Sequence, residues 1–548
     1  MCTHDHDIKS NLEVKKGSEI GHGKEHEKAH KKWSRRSFLQ GLGITGGMGM
    51  MLGHLPVNAL SSSPLSMLLD GSNSDRILVM IRLNGGNDGL NTMIPLYDYD
   101  TYLNSRPQIA LNTADTIQLT NEHALNQNLN ALMPLWNQGS MKIVNGVGYE
   151  NHNLSHFTSS DIIASASDAN QEEPSGWIGR YLDDCFPDFL TNAPEHPPAV
   201  QIAGGGSVLF NGGPESVDNF SLTVSSPEQL FEIAQSGQLY DLDNLPECTY
   251  GEQLGFLRTV ANTTFSYAEV IKEKFDEGEN SVGYEGSLGQ QLGLVARLIK
   301  GGLRTQFYVV TLNGFDTHAD QDATHGALMR TLSSAVNSFF TDLDQGNRAN
   351  DVLAMTFSEF GRRLQENASR GTDHGTASPT MLFGPSLNGN GVLGGDPDLD
   401  DLDANGNLKF TTDFRSIYAT VLENWLCIEP EQVDALLFRN FERLDLGLQC
   451  QTVSTSPFVD IPKVKHEIRY NDSGQAYVYY EIDRTQYIKL DIFNISGQHI
   501  KTLQNGTQSS GSYSMAVNIE RQFVMAPLVY RISINGQSYS KTFPLLKL

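Results

Sequence analysis

Apolar positions fall into two regimes along the chain. From residue 76 to about 430, short continuous apolar runs alternate with stretches whose apolar residues recur every three or four positions. Runs at 76–83, 141–147, 306–312 and 351–357 read as buried strands of a parallel sheet. Helical spacing covers roughly 125–138, 155–167, 285–302, 325–345 and 414–427. The alternation predicts an α/β domain over 75–450, with a mostly parallel sheet and helices on both faces. Ligands of such sheets bind beyond the carboxyl ends of the strands. A Ser/Thr/Pro-rich linker follows at 451–465. Beyond it the period drops to two. Segments 476–482, 487–493, 512–517 and 529–534 alternate as strands do, with turns expected at Ser496-Gly497, Asn505-Gly506 and Asn535-Gly536. A small C-terminal β-sandwich over 466–548 is the expectation.

The first 32 residues carry neither pattern; they are polar and rich in His and Lys, as a solvated leader is. Ser34-Arg35-Arg36-Ser37-Phe38-Leu39 then precedes a weakly apolar, Gly-rich stretch at 41–60. Paired arginines before a mild hydrophobic region form a twin-arginine export pattern, and Val57-Asn58-Ala59 offers a cleavage site. Residues 1–59 therefore read as a signal peptide handled by the twin-arginine translocase. No run of about 18 apolar residues occurs, which argues against a transmembrane anchor.

Charge narrows the partners. With 39 Lys+Arg against 64 Asp+Glu the net charge is −25, so phosphate backbones are repelled and no nucleic acid is expected. The five cysteines include no CxxC pair, which excludes a zinc knuckle. One disulfide among Cys185, Cys248, Cys427 and Cys450, or free buried thiols, are both open.

Candidate chemistry sits in four loops, each after a predicted strand. Asn84-Gly85-Gly86-Asn87-Asp88-Gly89 pairs a carboxylate with glycines that permit close backbone approach, but lacks nucleotide-fingerprint spacing. Asn151–Phe157 places Ser155 at a helix start, as an N-cap or a nucleophile, with His152 as a rival nucleophile and His156 beside it. In Phe315-Asp316-Thr317-His318, Asp316 and His318 alternate along an extended stretch and can face one site, half of a zinc or manganese centre. Ser358-Glu359-Phe360-Gly361-Arg362 leads to Asp373-His374-Gly375, a second carboxylate–imidazole pair. A separate acidic loop, 398–406, copies the start of a calcium loop through Asp401, Asp403 and Asn405, but position twelve is Thr412, so a solvated turn competes with calcium.

These loops, with Thr412-Asp413-Phe414-Arg415-Ser416, resemble the family known as domain of unknown function 1501, within the alkaline-phosphatase and sulfatase-like superfamily, over about residues 76–430. The resemblance implies an alkaline-phosphatase-like fold and two divalent metals flanking a nucleophile that cleaves phosphate or sulfate esters. By it, Asp88 would share one metal with Asp373 and His374, and Asp316 with His318 would hold the other. Arg362, or the amides of Gly85 and Gly86, would hold ester oxygens. The superfamily adds a ligand histidine downstream, whereas here the next ones are His466 and His499; His325, Asp320 or Glu359 could stand in. The sulfatase Cys/Ser-x-Pro-x-Arg signature is missing.

The tail resembles the sorting domain of the type IX secretion system, through 492–498, Lys501-Thr502-Leu503, 528–532 and Ser540-Lys541-Thr542. That implies recognition by the type IX secretion machinery, and a route through the periplasm to the cell surface or medium. The expected function is an exported, metal-dependent hydrolase of small anionic esters. A non-catalytic surface protein with the same fold and an exported cofactor-containing oxidoreductase are the alternatives.

Overall fold

A computed structural model describes residues 49–52 and 55–58, 76–450 with breaks within 187–192, 203–206, 214–218, 225–238 and 243–248, and 466–543 with breaks at 471–474, 483–484, 495–498, 518–527 and 535–536. The paired arginines, the linker at 451–465, and the turns at Ser496-Gly497 and Asn535-Gly536 lie outside the described residues. Inside the expected leader, Gly49–Leu52 pairs antiparallel with Leu55–Asn58. The chain divides into two compact units, whose described residues fall mainly in 76–450 and 466–543.

The first unit is built on a nine-stranded sheet. Its strands are β1 (Ile77–Asn84), β2 (Met141–Gly148), β3 (Ala199–Ile202), β4 (Ser221–Val224), β5 (Phe307–Asn313), β6 (Val352–Phe357), β7 (Ser378–Phe383), β8 (Gly391–Leu393) and β9 (Thr412–Asp413). The order is β8-β2-β7-β6-β1-β5-β3-β4, with β9 also on β2. Every neighbouring pair is parallel except the two that β7 makes, with β6 and β2. The four apolar runs are thus β1, β2, β5 and β6, and three of them form the adjacent trio β6-β1-β5. Ile77, Leu78, Val79, Met80 and Ile81 are all at most 4% exposed, so both faces of β1 are covered. Burial of each such side chain contributes up to about 1.5–3 kcal/mol.

Helices α1 (Gly89–Thr92), α2 (His156–Ser165), α3 (Trp177–Cys185), α4 (Thr249–Glu277), α5 (Gly286–Lys300), α6 (Gln321–Gln345) and α7 (Phe414–Thr420) connect these strands. The stretch expected to be one helix over 125–138 is instead a strand, His123–Asn126, a 3-10 segment, Gln127–Leu132, and a short helix, Met133–Asn137. Asn126 breaks the pattern, because its side chain accepts from the Asn128 N–H and starts a new turn. Cys427 and Cys450 form a disulfide, and Cys185 is free. Arg76 hydrogen-bonds the Trp425 carbonyl at 2.6 Å and the Gln449 carbonyl at 3.1 Å, so the residue just before β1 is tied to the chain on both sides of that disulfide.

The second unit contains a three-stranded sheet, ordered His466–Tyr470, Ala476–Ile482, Gly511–Ala516, and a four-stranded one, ordered His499–Gln508, Gln486–Asn494, Leu528–Ile534, Gln537–Phe543. One apolar cluster joins Val478 and Tyr480 of the first to Leu490, Ile492 and Ile532 of the second. Asn505-Gly506 is not a turn. It lies within a strand, with Gly506 opposite Ile488. Among the described residues, no helix is long and apolar enough to cross a membrane.

Candidate metal centre

The loops after β1, β5 and β6 leave the carboxyl ends of three neighbouring parallel strands, so they converge by topology. Gly85 has φ +128°, and a Cβ there would lie 2.4 Å from the Asp316 nitrogen, so only glycine lets the two loops touch. The β6 loop runs into a hairpin of Arg362–Glu366 with Thr372–His374, which sets Arg362 opposite His374. The loop after β2 delivers His156 as the first residue of α2.

Asp316 Oδ1 is the hub. The Nε2 atoms of His318, His374 and His156 stand 3.1, 3.2 and 3.5 Å from it. Arg362 Nη2 donates to it at 2.7 Å. Each ring has its other nitrogen on an acceptor: His156 Nδ1 on Glu359 Oε1 at 3.3 Å, His318 Nδ1 on Asp373 Oδ1 at 3.3 Å, and His374 Nδ1 on the Leu154 carbonyl at 2.9 Å. Carboxylates and carbonyls only accept, so a neutral ring keeps its single proton on Nδ1 and turns the Nε2 lone pair toward Asp316. Three lone pairs and a carboxylate oxygen then face one point, and the Nε2 atoms of His318 and His374 are only 3.1 Å apart. Among the described residues, Arg362 is the one guanidinium that hydrogen-bonds Asp316. A divalent cation relieves that crowding, and imidazoles whose far nitrogen is held by an acceptor are the usual metal-ligand arrangement. His156, Asp316 and His374 have their ligand atoms within 4.8 Å of one another, the one such group among the described residues.

Electrostatics agree. Burial would raise the Asp316 carboxyl, but the hydrogen bond and the charge of Arg362 outweigh it and hold the group below the usual carboxylate range. Burial lowers His374, which favours the neutral ring that a metal requires. Asp373 is held below the usual carboxylate range, first by the Asn367 amide and then by His318.

Not every candidate reaches the hub. Asp88 does not join Asp373 and His374. It is 1% exposed and bound by Arg106 Nη1 at 2.7 Å and by Gln321 Nε2, so its charge is already spent in a buried pair. Asp373 supports His318 from behind. Arg362 is not open to an ester: its side chain is fully buried and its N–H groups hold Gly85, Gly86, Phe315 and Thr372 carbonyls as well as Asp316. The Gly85 amide is likewise taken, by Glu359 at 2.9 Å. His152 is not a nucleophile candidate, because its Nε2 accepts from the Tyr149 amide at 3.2 Å while the ring stacks on Tyr149. Among the three stand-ins for the missing histidine, His325 is buried beside Asn87 and Thr92, Asp320 pairs with Arg370 at the surface, and Glu359 orients His156. Ser155 caps α2 and is exposed; its hydroxyl makes no capping hydrogen bond, and it lies between the Leu154 carbonyl that holds His374 and the His156 ring. Asp413 caps α7 and binds Arg415, a structural role.

In the acidic loop, Asp398 Oδ1 and Asp403 Oδ1 accept from the backbone amides of residues 400, 401, 405 and 407, and Asp401 pairs with Lys409, as in a closed surface turn.

Sequence reasoning placed His156 beside a nucleophile and not at the hub, where its Nε2 stands 3.5 Å from Asp316 Oδ1; an imidazole at the first position of a helix that follows a strand end was the available signal. Arg106 carried no signal at all.

The architecture is the mixed α/β, largely parallel type expected from the resemblance. A family model described as protein of unknown function (DUF1501) matches residues 258–437. No curated protein matches the chain. Among solved structures, the chain is similar to a protein in the alkaline phosphatase superfamily from Vibrio parahaemolyticus (9% identity, 85% of this chain and 86% of that one, TM-score 0.27). It is also similar to PsFucS1 sulfatase from Pseudoalteromonas sp. (9%, 86% and 88%, TM-score 0.32). A third similarity is to the phosphonate monoester hydrolase SpPMH from Silicibacter pomeroyi (9%, 86% and 88%, TM-score 0.31).

Proposed function

We propose that the protein is an exported, metal-dependent hydrolase of phosphate or sulfate esters. The observation that carries the reading is the convergence of three imidazole nitrogens on Asp316 Oδ1, each ring oriented by an acceptor behind it. Asp316, His156, His318 and His374 would hold the ion, and this donor set suits zinc or manganese. A bound divalent ion supplies positive charge against the anionic transition state of ester cleavage. The chain's own groups do the rest. Glu359 and Asp373 fix the ring planes, and Arg362 fixes Asp316. Ser155, at the positive end of α2 with no capping hydrogen bond from its hydroxyl, would be the nucleophile. The Cys427–Cys450 disulfide supports export, since such bonds persist outside the reducing cytosol.

Ser155→Ala tests the assignment: bound metal should be retained and hydrolysis of aryl phosphate and sulfate esters lost. Full hydrolysis by that variant would remove Ser155 from the mechanism. A second reading, a non-catalytic surface protein that keeps one ion, is favoured by the burial of Asp88 against Arg106, which leaves one cluster where two metals were expected. A metal-loaded protein inactive across the ester panel would decide for it.

A further inference from the structure

Beside the cluster lies a second concavity of about 620 Å³, counting its open mouth. The ends of β1, β3 and β5 and one face of α2 line it, through Arg82, Asn84, Asn313, Ser160 and Ser207, with Glu359 toward the cluster.

Donors prevail in its wall. Arg82 Nη2 gives one hydrogen bond, to Ser160 Oγ at 2.7 Å, and its remaining N–H groups have no hydrogen-bond partner among the described residues. Among the described residues, the one carboxylate within 4.0 Å of it is Glu359, which is already engaged by the Gly85 amide and by His156. Asn84 Nδ2 donates to Asn313 Oδ1 at 2.8 Å, which leaves the Asn313 amide hydrogens to give. Ser207 Oγ accepts from the Leu209 amide at 3.2 Å and keeps its own proton to donate. A guanidinium never loses its charge, and its flat fork matches an anionic oxygen group.

That anion is not the group at the metal cluster. Glu359 Oε1 has Arg82 on one side and His156 Nδ1 on the other, and only the far nitrogen of that ring faces Asp316. We infer that the pocket is an anion subsite, and that the substrate carries a second anionic group, a carboxylate, sulfate or phosphate, besides its ester. This rests on the ester reading for the word substrate, but the binding itself does not.

Titration of the metal-free full chain with inorganic sulfate at constant ionic strength tests it. The wild type should bind saturably. Arg82→Gln should weaken binding by about tenfold or more. Asn313→Asp, at the exposed last residue of β5, should do the same by repulsion. Asp316→Asn should bind like the wild type. Equal binding by the wild type and both pocket variants overturns the subsite, as does a wild type without saturable binding. Loss in Asp316→Asn alone assigns the anion to the cluster and overturns it too. With ester substrates, the wild type should show a lower KM when a second carboxylate is present, and Arg82→Gln should lose that preference. If no ester is hydrolysed, the ester reading fails, and the sulfate titration still decides the pocket.

Discussion

Asp88 and Asp316 both follow central strands, yet their partners give them opposite duties. Asp88 is sealed against Arg106, so Asp88→Asn leaves a buried guanidinium uncompensated and should cost about 3–5 kcal/mol in urea unfolding, with the side chains of the Asp316 hub untouched. Unchanged stability would show that the pair is not formed. Two buried histidines make a pH prediction. Burial lowers both His152 and His325 to about 4. Between about 6.5 and 4 the unfolded chain takes up protons that the folded chain refuses, so stability should fall as pH drops through that window. His325→Gln should flatten the profile of urea midpoint against pH; an unaltered slope would contradict the assignment. The carboxylates and imidazoles of the hub were legible because they cluster after apolar strands. Arg106 was not, since its contact with Asp88 depends on tertiary packing that Ser105-Arg106-Pro107 does not encode locally.

Among elements, continuous apolar runs were the dependable signal. Strands buried on both faces leave that signature, and β1, β2, β5 and β6 all carried it. Strand β7 did not, because Pro379 sits at a register shift near its start and shortens the run. The long α4 escaped for another reason: Gly251, Gly255, Asn262, Thr263 and Thr264 dilute its helical character, and packing rather than propensity sustains it. Asn505-Gly506 misled because its turn chemistry is strong, while cross-strand pairing with 486–494 overrides it. The disulfide belongs to this scale as well. It closes a 23-residue separation at the end of the unit, so reduction, or Cys427→Ser, should lower stability by about 2–4 kcal/mol. A melting temperature unmoved by reductant would deny it a structural role.

For the whole molecule, the proposed route is export by the twin-arginine translocase followed by passage through the type IX machinery. The mature chain should then begin near Leu60 and end near 452–465, and Lys at both Arg35 and Arg36 should hold the precursor in the cytoplasm; mass spectrometry of cell fractions reads both. An exported chain with its first residues intact would contradict this. The central claim is the cation at the Asp316 hub, and metal content per chain tests it most directly. After incubation with zinc or manganese, the wild type should carry about one ion per chain. Asp316→Asn and His374→Ala should carry almost none, and Asp401→Asn, which touches only the acidic turn, should match the wild type. A wild type that takes up no ion, or hub variants that keep it, would contradict the assignment.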